Sequence, residues 1–112
     1  MDELEKNEML ANLYAYYGEL LTKGQQNYFE DYYYNDLSLG EIAENHSVSR
    51  QAVYDNLKRS SKALKKYEDT LHLQKEYVEM GKLVSQISID LKSNKKEQAE
   101  KNLEKLLRKL GV

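Results

Sequence analysis

Asp36-Leu37-Ser38-Leu39-Gly40-Glu41-Ile42-Ala43-Glu44-Asn45-His46-Ser47-Val48-Ser49-Arg50-Gln51-Ala52-Val53-Tyr54-Asp55-Asn56-Leu57 carries the start of two helices and the turn between them. Ser38-Leu39-Gly40-Glu41 has capping-box spacing: the hydroxyl takes the N–H three residues on, and the carboxylate there reaches back. Leu39, Ile42 and Ala43 then give that helix an apolar side. It holds only about two turns before Asn45-His46-Ser47, and so short a helix depends on tertiary packing. Ser47 or Ser49 opens the next helix, whose Ala52, Val53 and Leu57 are expected to face inward, with Leu64 continuing the line. This is the pattern of a helix-turn-helix, in which the first helix braces the second and the second enters the major groove N-terminus first. Small Ala43 allows close approach. Val48 is expected as an apolar plug between the helices, and a Val48 left in water would count against the assignment.

The second helix presents Arg50, Gln51, Tyr54, Asp55, Lys58, Arg59 and Lys62 outward. Arg50 and Gln51 have base-reading chemistry, and Lys58, Arg59 and Lys62 suit phosphates. Residues 49–66 carry +5, whereas 1–21 and 22–48 carry -4 each. Asp55 is the exception, because a carboxylate is repelled near phosphates.

Upstream, Leu10, Leu13, Tyr17 and Leu20 or Leu21 form one stripe of a helix over about 4–20, widened by Tyr14 and Tyr16. Thr22-Lys23-Gly24-Gln25 is another capping box, opening a helix whose buried face is Tyr28, Phe29, Tyr32 and Tyr33. Asn35-Asp36 ends it. Downstream, Leu73, Tyr77, Met80, Val84, Ile87 and Leu91 keep a heptad spacing. Ser93-Asn94 interrupts, and Ala99, Leu103, Leu106 and Leu110 repeat the pattern. The expected fold is all-α: a helix-turn-helix domain over 1–66, then a helical hairpin over 67–112 that docks and dimerises, with Val84 and Ile87 mid-seam.

Composition agrees. The 112 residues include no Pro and only 5 Gly, too few turn residues for a sandwich or barrel. A formal net charge of -2 excludes a globally basic nucleic-acid binder, so any such activity rests on a local patch. The lack of Cys excludes disulfides and thiol nucleophiles, and His46 and His72 stand 26 residues apart, which argues against a metal site. No nucleophile–base pair or phosphate loop is present, so neither an enzyme nor a cofactor is expected. There is no membrane-spanning run, and the acidic start MDELEKNEML is unlike a signal peptide. A soluble cytoplasmic protein is expected.

Leu21-Thr22, Tyr28-Phe29, Tyr33, Leu37-Ser38, Glu41-Ile42-Ala43, Val48-Ser49-Arg50 and Val53 make residues 21–64 resemble region 4 of bacterial sigma factors. More narrowly, LTKGQQNYFEDYYYND followed by DLSLGEIAENHSVSRQAVYDNLKR resembles the YlxM family, over most of the chain. The resemblance implies a small helical protein encoded beside components of the signal recognition particle, acting in that pathway or as a regulator, without catalytic residues. The leading expectation is a regulatory helix-turn-helix protein that binds nucleic acid through the second helix of the motif, as a homodimer. The rival is a protein-interaction module that uses this helix to bind the particle's GTPase or its receptor, without DNA.

Simpler roles are expected for other eye-catching residues. Seven of the 10 Tyr fall between 14 and 34, and at helical spacing they read as core with hydroxyls reaching the surface, rather than as a base-stacking platform. His46 reads as a turn residue, Glu41 as a cap and Glu44 as solvated.

Overall fold

A computed structural model describes all of residues 1–112 as six helices with no strand. They are α1 (Glu3–Tyr17), α2 (Lys23–Tyr33), α3 (Leu39–His46), α4 (Arg50–Leu71), α5 (Leu73–Lys92) and α6 (Lys96–Leu110), with a 3-10 turn at Gly18–Leu20 after α1. The chain is thus all-α, a helix-turn-helix region followed by a helical hairpin. It divides into two compact units, Met1–His72 and Leu73–Val112.

Local chemistry accounts for the helix ends. Thr22 and Ser38 both close full capping boxes with Gln25 and Glu41, at 3.0–3.1 Å in each direction. Asp2 caps α1 by accepting from the Glu5 N–H at 2.8 Å. Four helix ends turn on a non-glycine residue at positive φ: Asp36, Ser47, His72 and Asn94. Three lie where turn chemistry is written in the sequence. His72 does not, yet α4 stops there, within a few residues of the break that the sequence suggests near Asp69-Thr70, with the His72 N–H bonded to the Glu68 carbonyl at 2.9 Å.

Two apolar clusters fill the first unit. One joins Leu10, Leu13 and Tyr17 of α1 to Leu21, Phe29 of α2 and Leu64 of α4. The other joins Ile42 and Ala43 of α3 to Val53 and Leu57 of α4. Tyr33 packs against both. Leu20, one of two alternatives for the α1 stripe, lies in water, and Leu21 takes the buried place. The tyrosines are core with wet tips. Tyr14 stacks on Phe29 at 4.4 Å and donates its hydroxyl to Glu30 at 2.8 Å, and Tyr17 donates to Glu68 at 2.6 Å.

Two expectations need correction. Val48 is 39% exposed and is no plug. Ser47 closes α3 in the left-handed conformation, and the Val48 N–H reaches back to the Ala43 carbonyl at 3.0 Å. This Schellman-type ending fixes the turn through the backbone, and the apolar seal comes from Ile42, Ala43, Val53 and Leu57. The expectation that the motif depends on a buried Val48 thus fails, and the α3–α4 pair is held instead by this turn and by those four side chains. Ala52 is also exposed, because it stands about 100° round the helix from Val53. Ser60 takes a buried place on the inner face, with no hydrogen-bond partner for its hydroxyl.

In the second unit, the residues withdrawn from solvent include Met80, Leu83, Ile87 and Asp90 of α5 and Ala99, Asn102 and Leu106 of α6. Asp90 is 4% exposed and accepts from the Gln86 amide at 2.9 Å and the Asn102 amide at 3.0 Å. Within the chain, Val84 and Leu91 lie off this seam, at 53% and 57% exposure. The hairpin closes on one flank of the heptad stripe rather than on its centre line.

Candidate nucleic-acid interface

The candidate surface lies on α4, and its position follows from the α3–α4 turn. Ser49 caps α4 by accepting the Ala52 N–H at 3.0 Å. With Ser47 committed to closing α3, Ser49 is the residue of the two candidates that opens the helix. The first-turn N–H groups, which have no carbonyl partner within the helix, give that end a partial positive charge. Arg50 stands in the first turn of α4. Val53, Leu57, Ser60 and Leu64 point inward, so the 3.6-residue period turns the basic residues to water.

All seven expected contact residues, Arg50, Gln51, Tyr54, Asp55, Lys58, Arg59 and Lys62, are exposed. They do not form one uniform patch. Tyr54, Lys58 and Lys62 line a groove of about 420 Å³ within the first unit, together with Lys65 of α4, Lys6 and Glu3 of α1, and Tyr32 and Tyr33 of α2. Its lining also includes Leu10, Leu39 and Leu57. Arg50, Gln51, Asp55 and Arg59 are outside that groove. The sequence reading named neither Lys65 nor Lys6 as a contact. Lys65 was legible, since it follows Lys58 by seven residues, two helical turns on. Lys6 was not, because only tertiary packing sets α1 beside α4.

The acid in the middle of the helix has a local partner. The Gln51 amide donates to the Asp55 carboxylate at 3.0 Å. An i,i+4 pair of this kind is ordinary helix-surface chemistry. It orients the Gln51 amide along the helix and leaves its oxygen free to accept.

Other singled-out residues have structural roles. Glu41 holds the Ser38 N–H, and that bond keeps its carboxyl below the usual range. The His46 ring lies 3.3 Å from the Asp31 carboxylate and edge-on to Tyr28 at 4.6 Å, which ties the end of α3 to α2. No group of three or more His, Cys, Asp or Glu is placed to hold a metal ion. No helix is long and apolar enough to cross a membrane.

Comparison with known proteins agrees with this architecture. Residues 4–106 match the family UPF0122, described as "Putative helix-turn-helix protein, YlxM / p13 like". A UPF0122 protein of Listeria monocytogenes serotype 4b is 46% identical over 104 residues, 91% of this chain and 94% of that one. One from Lactiplantibacillus plantarum is 50% identical over 92 residues, covering 82% and 80%. One from Limosilactobacillus fermentum is 57% identical over 75 residues, covering 67% and 66%. On the extent of these matches, and on the braced and capped α3–α4 pair that the structure places at their centre, the chain belongs to the UPF0122 family of YlxM/p13-like helix-turn-helix proteins.

Proposed function

We propose that this protein is a small cytoplasmic regulator that binds nucleic acid through α4 and acts in the signal recognition particle pathway, as a homodimer and without catalysis. One observation carries the nucleic-acid part. A rigidly braced helix puts six cations in residues 49–66 on a unit whose preceding segments are both acidic. A local basic surface on an acidic protein concentrates attraction for phosphates at one place. In this reading Arg50 and Gln51 approach base edges at the N-terminal end. Lys58, Arg59 and Lys62 hold phosphates, and Tyr54 lies against the backbone. Asp55 is tolerated because Gln51 engages it. The link to the signal recognition particle rests on the YlxM resemblance of the sequence. The homodimer rests on the weak binding of a single half-site and on the apolar surface of the hairpin.

The second reading is a protein-interaction module, in which the same helix meets an acidic surface of the particle's GTPase or its receptor and no DNA is bound. Asp55 and the net charge of -2 favour it.

The test is the double variant Arg50→Ala, Lys58→Ala. Both residues are exposed, so helix content and melting should stay at wild-type values. Binding to mixed-sequence duplex DNA should weaken, and the slope of log affinity against log salt should fall by roughly 0.9 for each phosphate that the variant no longer neutralises. DNA binding unchanged by the double variant overturns the assignment of α4. A wild-type protein that ignores DNA but binds the purified GTPase through the same two residues establishes the second reading instead.

A further inference from the structure

The groove between α1 and α4 mixes two chemistries. Buried Leu10 and Leu57 give it an apolar floor, and Tyr32 and Tyr33 of α2 and Tyr54 of α4 bring rings to its walls. Tyr32 and Tyr33 meet each other edge to face at 4.9 Å. Tyr54 is 48% exposed, has no ring partner and makes no hydrogen bond. The margin is cationic. Lys58, Lys62 and Lys65 fall within about 80° of Tyr54 on one side of α4, at 100° per residue. Lys6 adds a fourth ammonium group from α1. None of the four is ion-paired. Against them stands one carboxylate, Glu3. Half-buried Asn7 also lines the groove and makes no side-chain hydrogen bond.

We propose that this groove binds a nucleotide carrying two or more phosphates. Charge selects the phosphates. Four ammonium groups face one carboxylate, so the groove calls for a multivalent anion. A terminal phosphate carries about −1.5 to −2 at neutral pH, and a second phosphate brings the ligand near the excess positive charge. The apolar floor and the unpartnered Tyr54 select a flat ring, because every nucleobase can stack on an aromatic face. The two selections agree in space: Lys58 follows Tyr54 by one helical turn, so a base on the ring directs its phosphates toward the lysines. Glu3 and Asn7 add what a bare polyphosphate cannot use, an acceptor for a sugar hydroxyl or ring N–H and an amide. At about 420 Å³ the groove falls within the size of small-molecule sites, about 300–1,000 Å³. Its buried floor is out of reach of a rigid duplex laid along α4. The site does not rest on the nucleic-acid reading above. Tyr54, Lys58 and Lys62 figure in both, but Lys6 and Lys65 belong to the groove alone.

Isothermal titration calorimetry of the full chain with ADP, GDP and pyrophosphate, in the absence of DNA, tests this. ADP or GDP should bind once per chain, and pyrophosphate about tenfold more weakly for want of the stacked base. Tyr54→Ala should bring the nucleotide down to the affinity of pyrophosphate and leave pyrophosphate itself unchanged, while Tyr54→Phe keeps the wild-type difference. Lys6→Ala and Lys65→Ala should each weaken both ligands severalfold. All three positions are exposed, so circular dichroism should show wild-type helix content. Absence of nucleotide binding at millimolar concentration overturns the site, whatever the protein does with DNA. Pyrophosphate that binds as tightly as ADP and GDP reveals a bare anion site and overturns the nucleotide. Nucleotide affinity unchanged in both Lys6→Ala and Lys65→Ala overturns the groove as its location. A short 5′-phosphorylated single strand that binds far more tightly than either nucleotide, and loses that binding in Lys6→Ala and Lys65→Ala, makes the groove part of a nucleic-acid surface instead.

Discussion

Gly18 is buried where α1 gives way to the 3-10 turn, and a Cβ there would stand 2.9 Å from the Tyr14 ring. That ring cannot easily move away. It is stacked on Phe29 at 4.4 Å and its hydroxyl is held by Glu30. Gly18→Ala should therefore destabilise the first unit by about 1–3 kcal/mol, the usual cost of overpacking. A urea midpoint equal to that of wild type would show that the ring yields. No backbone strain is involved, since φ at Gly18 is -56°. The glycine is required by a neighbour rather than by a turn, and the sequence does not display that need. Tyr14 reads from the sequence as a residue that widens the helix stripe. Its place over Phe29, in the next helix, emerges only when α1 and α2 pack.

At the scale of elements, the α3–α4 turn tests how the motif is held together. A Val48 buried between helices would make Val48→Asp cost several kcal/mol, because it would bury an unpaired carboxylate. With Val48 39% exposed and the turn held by backbone hydrogen bonds, the change should cost no more than about 0.5 kcal/mol, like other surface substitutions. Thermal melting compared with wild type checks it, and a large drop would show that the side chain does seal the two helices. The capping residues were readable because a cap acts over three residues, as at Thr22–Gln25 and Ser38–Glu41. The α5 stripe was readable as a period, but not which flank of it closes the hairpin. Asp90 and Asn102 decide that choice, since a buried carboxylate needs both amide donors beside it and sets the register accordingly.

For the whole molecule, the tyrosine core implies a response to alkali. Burial pushes the phenols of Tyr14, Tyr33 and Tyr34 above their ordinary value, and Glu30 reinforces the rise at Tyr14 and Tyr34. An unfolded tyrosine titrates near pH 10. Above that pH the unfolded chain sheds protons that the folded chain retains, so stability falls as pH rises. It is fully present below about pH 10. Urea midpoints should hold steady below that pH and decline above it, with tyrosinate absorbance appearing as the chain unfolds. A midpoint that stays level well above pH 10 would mean that these hydroxyls ionise freely in the fold. The acidic front half and the basic stretch at 49–66 were plain from charge counting alone. The groove that gathers Lys58, Lys62 and Lys65 with Lys6 was not, because it needs α1 laid against α4.

The amino-acid sequence by itself determined the helical class, the six helices to within a few residues, the α3–α4 pair and the outward placement of Arg50, Gln51, Tyr54, Asp55, Lys58, Arg59 and Lys62. Each of these depends on interactions within one or two helical turns: a hydroxyl and an amide three residues apart, or apolar residues recurring at three and four. Tertiary structure alone decided that Val48 is exposed and Ser60 buried, and that Lys6 lies beside the lysines of α4. It also decided that one flank of the hairpin stripe is covered while Val84 and Leu91 stay in water. Periodicity limits a buried face only to about a third of a helix's circumference. Which residues within that arc are covered depends on the shape of an element brought from elsewhere in the chain, and no short window of sequence contains it.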